Sequence, residues 1–298
     1  MNQNPNFEMG SSPKSPVPLS ESKGAAPCDE LHIYHIHGFP ACDAAGFGPA
    51  FLGNWQEEDY AFLFFSEPSE PSIDRLLAAR PDLTLLDKYH MKYDDWHGVK
   101  PVPFRVGRLL IYPPWDPPRT QKKTYGIQLD PGVVFGTGTH ATTRDCLEAI
   151  DRLLPDKTIQ TALDLGTGTG VLAIAAATLG CRHAVAVDLN GLAVQTAARN
   201  VRKNGLQDRV WVLQGEAETL IGCRADLLVA NVHHAVMQKL VRSEAFSSKR
   251  WFVLSGLLRR QAKEIREMLI RRRADVLETW HRDDTWFTML GKNPERSP

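Results

Sequence analysis

The 298 residues hold little cysteine, no long apolar run and no surplus of either charge. Five cysteines (Cys28, Cys42, Cys146, Cys181 and Cys223) are scattered, and none belongs to a C-x-x-C pair. Such an odd, unpaired set suggests neither a disulfide framework nor a zinc site, and it points to the reducing cytoplasm. No apolar stretch approaches the ~20 residues of a membrane span, and the N-terminus lacks an apolar signal core. Basic and acidic residues balance at 35 each, so recognition of nucleic acid or membrane through overall charge is not indicated. The length exceeds one small core and fits two domains with tails.

What is present is organised around residues 161–180, TALDLGTGTGVLAIAAATLG. A short apolar run ending in Asp164 and Leu165 reads as a buried parallel strand. Gly166, Gly168 and Gly170 follow at alternate positions, and then an Ala- and Leu-rich helix begins. Strand, glycine turn and helix open a doubly wound nucleotide-binding sheet. The dinucleotide fingerprint G-x-G-x-x-G would need a glycine at 171, where the chain has Val171. An acid at position 164 is ill placed beside a pyrophosphate, and it suits a cationic ligand. This D-x-G-x-G-x-G spacing resembles motif I of the class I S-adenosylmethionine-dependent methyltransferases, whose ligand carries an amino group and a sulfonium. A second strand, HAVAVD, ends at Asp188, 22 positions after Gly166, where a carboxylate would accept hydrogen bonds from two ribose hydroxyls.

Residues 1–29 are rich in Ser, Pro, Asn and Gly and read as a disordered tail. Residues 30–95 suggest a small α+β domain: a strand LHIYHIHGF, a strand YAFLFFS, a short helix with Ser72 as its cap, and a strand from Leu83. Alternation puts His35 and His37 on one face of the first strand and His32 on the other. With no acid or cysteine at ligand spacing, they read as a half-exposed strand rather than a metal site. Residues 96–119 form a proline-rich linker in which 108–112 suit a strand and Trp96, Phe104 and Trp115 interleave with Lys100, Arg105 and Arg108. The charge density is modest, which favours a packed hinge over a nucleic-acid surface.

Residues 125–143, YGIQLDPGVVFGTGTHATT, give a strand, a turn and a glycine loop placed to act as a lid. Thr142 and Thr143 are candidate caps of the amphipathic helix that follows. From here to residue 292 strands and helices alternate, ending in two strands suited to an antiparallel edge pair. Residues 293–298 are a tail.

Together DPGVVFGTGTHATT, the motif I unit and Asp188 resemble the ribosomal protein L-eleven methyltransferase family. KPVPFRVGRLLIYPPW and LSGLLRRQAKEI are similar to it as well, so the resemblance runs from about residue 96 to 292. It implies a Rossmann-like α/β methyltransferase domain with a seven-stranded sheet over residues 120–292. It also implies S-adenosyl-L-methionine as cofactor and methyl transfer to amino groups of a ribosomal stalk protein, the N-terminal domain holding that substrate. Thr143, Gly166, Asp188 and Asn231 would contact the cofactor, with Asp164, Gly168 and Gly170 completing its loop. Glu216 stands where such enzymes often place a group beside the adenine. Asn231, at a strand's carboxyl end, is the candidate catalytic residue. Its carbonyl would accept a hydrogen bond from an amine and aim the lone pair.

The family pattern after that asparagine includes a Pro-Leu pair; this chain reads NVHHAVMQ. His233 and His234 are therefore candidate proton acceptors, and the acceptor itself is left open. The other readings are a methyltransferase acting on a different protein lysine or a small amine, and a regulatory protein that binds the cofactor without catalysis. No metal is expected.

Overall fold

A computed structural model describes residues 28–40, 44–57, 59–96, 101–118, 124–155, 158–282 and 285–294. Cys42, Lys100, nearly all of the N-terminal tail and most of the C-terminal tail lie outside the described residues.

The first unit comprises β1 (Glu30–His37), α1 (Ala44–Phe47), β2 (Phe51–Glu57), β3 (Tyr60–Phe65), α2 (Glu70–Ala79), β4 (Thr84–Lys92) and α3 (Tyr93–Trp96). Its strands form a sheet in the order β2-β3-β1-β4, with β1 antiparallel to both neighbours. Both faces are buried near the centre. Tyr34, Ile36, Leu63 and Phe65 pack with Ile73 of α2 on one side. Leu31, Ile33, Phe64 and Tyr93 pack on the other with Val133, Val134, Leu192 and Ala193 of the following domain. Tyr93 closes this second contact by donating its hydroxyl to the Gly132 carbonyl at 2.6 Å.

Two local expectations change. Helix α2 starts earlier than Ser72: its cap is Ser69, which makes no side-chain cap bond, and a proline occupies the first turn. Strand β2 is an addition. Gly53 interrupts its alternation and a register shift falls at the same place, so the stretch shows no clean strand period.

The proline-rich stretch is not a simple tether. It carries β5 (Phe104–Val106) and β6 (Leu109–Tyr112), which join β7 (Tyr125–Gln128) in a three-stranded sheet. Arg108 fixes this sheet to α4 (Ala141–Leu153), donating to Asp151 Oδ1 and to the Asp151 carbonyl, both at 2.8 Å. Trp96 and Trp115 pack against the core shared with the first unit. Arg144 lies over the Phe104 ring, 4.7 Å from its centroid. Trp96, Phe104, Trp115 and Arg108 are thus packed against neighbouring elements, while Arg105 is exposed.

The main sheet is built from β8 (Thr161–Leu165), α5 (Val171–Leu179), β9 (His183–Asp188), α6 (Gly191–Lys203), β10 (Val210–Gln214), α7 (Ala217–Leu220), β11 (Leu227–Asn231), α8 (His234–Arg242), β12 (Trp251–Leu258), α9 (Arg259–Arg271), β13 (Asp275–Arg282) and β14 (Trp286–Lys292). Seven strands lie in the order β10-β9-β8-β11-β12-β14-β13; β14 alone runs against its neighbours β12 and β13. The fold is the Rossmann-like α/β sheet expected from the sequence. Helices α4 and α5 cover one face, where Cys146, Leu147, Ile150 and Ile174 are fully buried. Helices α8 and α9 cover the other through Met237, Leu240, Ile265 and Leu269. Helix α5 is buried nearly all round, which accounts for its alanines: small side chains let flanking elements approach from several directions. The run Arg271–Arg272–Arg273 is structural in part, for Arg272 donates to the carbonyls of Arg242 and Ser243.

One clamp joins these parts. Asn200 of α6 and Asn204, the C-cap of that helix, lie one turn apart. Asn204 donates to Gln128 O at 2.7 Å and accepts from Gln128 N at 2.9 Å. Asn200 donates to Asp130 O and Thr169 O and accepts from Asp130 N. The two carboxamides continue the β7 backbone as a neighbouring strand would. Asn200 is fully buried, so Asn200→Ala strands three backbone groups and should lower the unfolding free energy by about 2–4 kcal/mol. Urea unfolding followed by circular dichroism measures it.

Candidate active site

Strand β8 sits where the chain order reverses, with β9 on one side and β11 on the other. In open α/β sheets the crevice beyond the strands' carboxyl ends at this point is the ligand site. Asp164, one residue before the end of β8, is buried and its Oδ2 accepts from the Thr167 hydroxyl at 2.5 Å and the Ala173 N–H at 3.2 Å. Its Oδ1 is equally buried and has no protein partner. Burial pushes the Asp164 carboxyl up to about 7, against the pull of those two hydrogen bonds.

The glycine turn brings a second loop against the first. The Thr169 N–H donates to Phe135 O at 3.0 Å, and the Thr169 hydroxyl donates to Gly136 O at 2.6 Å. Gly168 has φ +55, and a Cβ there would stand 2.3 Å from Phe135 O, so only glycine fits. Arg144 donates to Gly138 O at 2.8 Å, while Phe104 packs on Gly138. The FGTGTH segment is therefore docked at both ends rather than a free lid.

The cap of α4 also differs from expectation. His140, not a threonine, is the N-cap: its Nδ1 accepts from the Thr142 N–H at 3.3 Å and lies 2.7 Å from Thr142 Oγ1. Burial holds the imidazole below its ordinary range, the neutral form that this role needs. Thr142 and Thr143 instead point into the protein, both almost fully buried. Thr142 Oγ1 accepts from Asn231 Nδ2 at 3.3 Å. Thr143 Oγ1 has no protein partner.

Asp188 ends β9 beside the turn. Its Oδ2 accepts from the Gly168 N–H at 2.9 Å and its Oδ1 from the Asn190 N–H at 3.0 Å. Burial raises its pKa, and these backbone donors oppose the rise. Asn231 ends β11. With Nδ2 given to Thr142, its Oδ1 faces Gly256, where a bulge in β12 takes φ +82 and a Cβ would come within 3.0 Å of that oxygen. Gly256 leaves room for the carboxamide. His140 stands between Phe135 and Trp286, with ring centroids 5.4 and 5.1 Å away, and forms an aromatic rim.

Thr143, Asp164, Gly166, Gly168, Gly170, Asp188 and Asn231 thus converge on one edge of the sheet. Glu216 follows β10 at the same edge with an exposed side chain. His234 Nε2 lies 3.3 Å from a Glu264 carboxylate oxygen of α9 without forming a hydrogen bond, and His233 is an exposed cap of α8. The spacing of the sequence missed the parts played by His140 and Thr142. The signal was inside FGTGTHATT, but the capping geometry that selects among its polar residues is three-dimensional.

A doubly wound sheet with this strand order, a glycine turn after β8 and acids closing β8 and β9 defines a Rossmann-like methyltransferase, an enzyme class. The family model described as ribosomal protein L11 methyltransferase (PrmA) matches residues 89–294, and the chain belongs to that family. It is 37% identical over 238 residues to the ribosomal protein L11 methyltransferase of Desulfitobacterium hafniense, covering 76% of this chain and 74% of the relative. To that of Clostridium perfringens it is 33% identical over 193 residues, 64% of this chain and 60% of the relative. The crystal structure of the ribosomal protein L11 methylase from Lactobacillus delbrueckii subsp. bulgaricus superposes with a TM-score of 0.58 at 25% identity, over 65% of this chain and all of that one. The family match starts within β4, so most of the N-terminal sheet lies outside it.

Asp164 fixes a pH dependence. Its folded pKa of about 7 exceeds the unfolded value near 3.9. The folded chain therefore holds the extra proton, and stability falls as pH rises between these values, levelling above the folded pKa. Asp164→Asn removes that slope. Relative to the parent, the variant should gain ~2–3 kcal/mol between about pH 5 and about pH 8 in urea unfolding. Parallel pH profiles would show that the carboxylate ionises at no cost.

Proposed function

We propose that this chain uses S-adenosyl-L-methionine to methylate amino groups of ribosomal protein L11. The observation that carries the cofactor reading is the unpartnered Asp164 Oδ1, buried at the carboxyl end of β8. A buried carboxylate oxygen without a partner is costly, and a ligand ammonium would offset that cost. Thr143 Oγ1, also orphaned, offers a second polar contact. Asp188 keeps free lone pairs on both oxygens, enough for two ribose hydroxyls. Gly166 and Gly168 are glycine because Val232 and Phe135 fill the space of a side chain, which packs the turn tightly at the strand's end. These groups fit a cationic nucleoside better than a phosphate.

When bound, S-adenosylmethionine supplies a methyl group already activated by a positively charged sulfur. The protein's own work is placement. Asn231 Oδ1, oriented by the Thr142 contact on its amide nitrogen, accepts a hydrogen bond from the incoming amine and holds its lone pair on line. A lysine ammonium has a pKa near 10.4 and must reach this oxygen as the neutral amine. The aromatic rim of Phe135, His140 and Trp286 narrows the approach.

The substrate reading rests on family membership and on the first unit seated beside the site, which would carry the protein substrate. Nothing in this scheme calls for nucleic acid. The described cysteines are free thiols, in keeping with work in the cytoplasm. Among the described residues no helix is long and apolar enough to cross a membrane.

Tritium-labelled cofactor and dissociated ribosomal proteins provide the test, with the labelled band expected at L11. Label on another protein, or on small molecules alone, would overturn the substrate. Asn231→Ala should slow transfer by ~100-fold, the scale of a misplaced reactant, and calorimetry should still detect cofactor uptake. A variant as fast as the parent would remove Asn231 from the chemistry.

A further inference from the structure

The N-terminal sheet carries a cluster that the methyl-transfer site does not use. Strands β1 and β4 are antiparallel, and His32 faces His90 directly across the ladder. Glu30 lies two residues before His32 and therefore on the same face of β1. The two imidazoles are stacked, with centroids 4.5 Å apart and planes at 11°. His90 Nε2 is 2.9 Å from Glu30 Oε2. One ligating atom from each of Glu30, His32 and His90 lies within 4.8 Å of the others. Glu70, at the start of α2, adds negative charge close enough to act on His32. The sequence reading found no acid at ligand spacing beside the strand's histidines. The acid is Glu30, and the second nitrogen comes from a strand some 60 residues away.

We propose that Glu30, His32 and His90 form a binding site for a divalent transition metal of the zinc class. Two imidazole nitrogens and one carboxylate oxygen are the donor set that borderline cations such as zinc prefer over magnesium or calcium. Bond lengths of about 2.0–2.2 Å to each donor require the two stacked rings to turn out of parallel about their side-chain torsions, so that both in-plane lone pairs meet at one point; the exposed face leaves room for that turn. The hydrogen bond between His90 and Glu30 already holds two of the donors together. Metal entry takes the place of that hydrogen bond, the imidazole presenting the lone pair of its ring nitrogen to the cation. The face is open: Glu30 and His90 have more than half of their side-chain surface exposed. The fourth coordination position is left to water or to a donor from outside the chain.

The site has a structural consequence. β4 is an edge strand of its sheet, and its residues are mostly exposed. A cation held by His32 and His90 would clamp that edge to β1. Since the donors converge only when the two strands are paired, the metal binds the folded sheet and raises its stability by mass action.

The experiment titrates zinc chloride into the untagged full-length chain, followed by calorimetry and by thermal unfolding. The expected result is one equivalent of zinc bound with a raised unfolding midpoint. Both effects should be lost in His32→Ala and His90→Ala, weakened in Glu30→Gln, and retained in His37→Ala, whose side chain lies outside the cluster. Magnesium chloride should give neither. Circular dichroism at the starting temperature separates loss of binding from loss of fold, and Glu30→Gln, which keeps shape while removing charge, gives a second reading if an alanine variant unfolds. No zinc uptake by the parent, or uptake unaltered in both histidine variants, would overturn the site.

Discussion

The two hydrogen bonds from Thr169 to the backbone of Phe135 and Gly136 are the contact on which the rest of the active-site edge depends. They join two loops from different parts of the chain, one after β8 and one before α4. The second loop ends at His140, which caps α4 and places Thr142 against Asn231. The first ends in the helix that supplies Ala173 N–H to Asp164. If the loops separated, the cap, the carboxamide and the buried acid would lose their common reference. Glycine at 168 is what lets the chains meet, for a single Cβ would fill the space that Phe135 O occupies.

This edge is assembled against local stability. Asp164 is held where its charge is disfavoured, and two hydroxyl or carboxylate atoms are left without partners in the protein. Such arrangements persist where surrounding structure is well determined. Here that support comes from helix α5, almost wholly buried, and from the asparagine clamp of α6. A folded domain has only a few kcal/mol to spare, so these rigid neighbours and the uncompensated groups belong together. Under the proposed cofactor assignment, ligand uptake would stabilise the fold by satisfying the very atoms that now weaken it.

Most of the fold was legible because it rests on short-range rules. The apolar runs of β8, β9 and β11 and the glycines after β8 declare a doubly wound sheet by period and punctuation. Asp164, Asp188 and Asn231 could be singled out because each stands at a strand's end. Strand β2 was not legible, since Gly53 and a register shift erase its alternation. In the proline-rich stretch only residues 108–112 read as a strand; β5 was hidden, because its β-structure comes from pairing with β6 rather than from a strand period of its own. His140 was unreadable as a cap because Ser, Thr, Asp and Asn are the usual choices. The cap depends on where its ring lies, between Phe135 and Trp286.

The seat of the N-terminal unit has a thermodynamic corollary. Its strand β2 meets Leu192 through Gly53, in the first turn of the helix whose cap, Asn190, is joined to Asp188. The first turn of α6 therefore touches the N-terminal sheet through Leu192 and, through its cap, the Asp188 carboxylate. Anything that strains this turn on loading one of the two neighbours must, by reciprocity, alter the affinity at the other to the same degree. Under the proposed assignments, docking of a protein partner on the first unit and occupancy of the nucleoside site are then coupled variables, each felt by the other in equal measure.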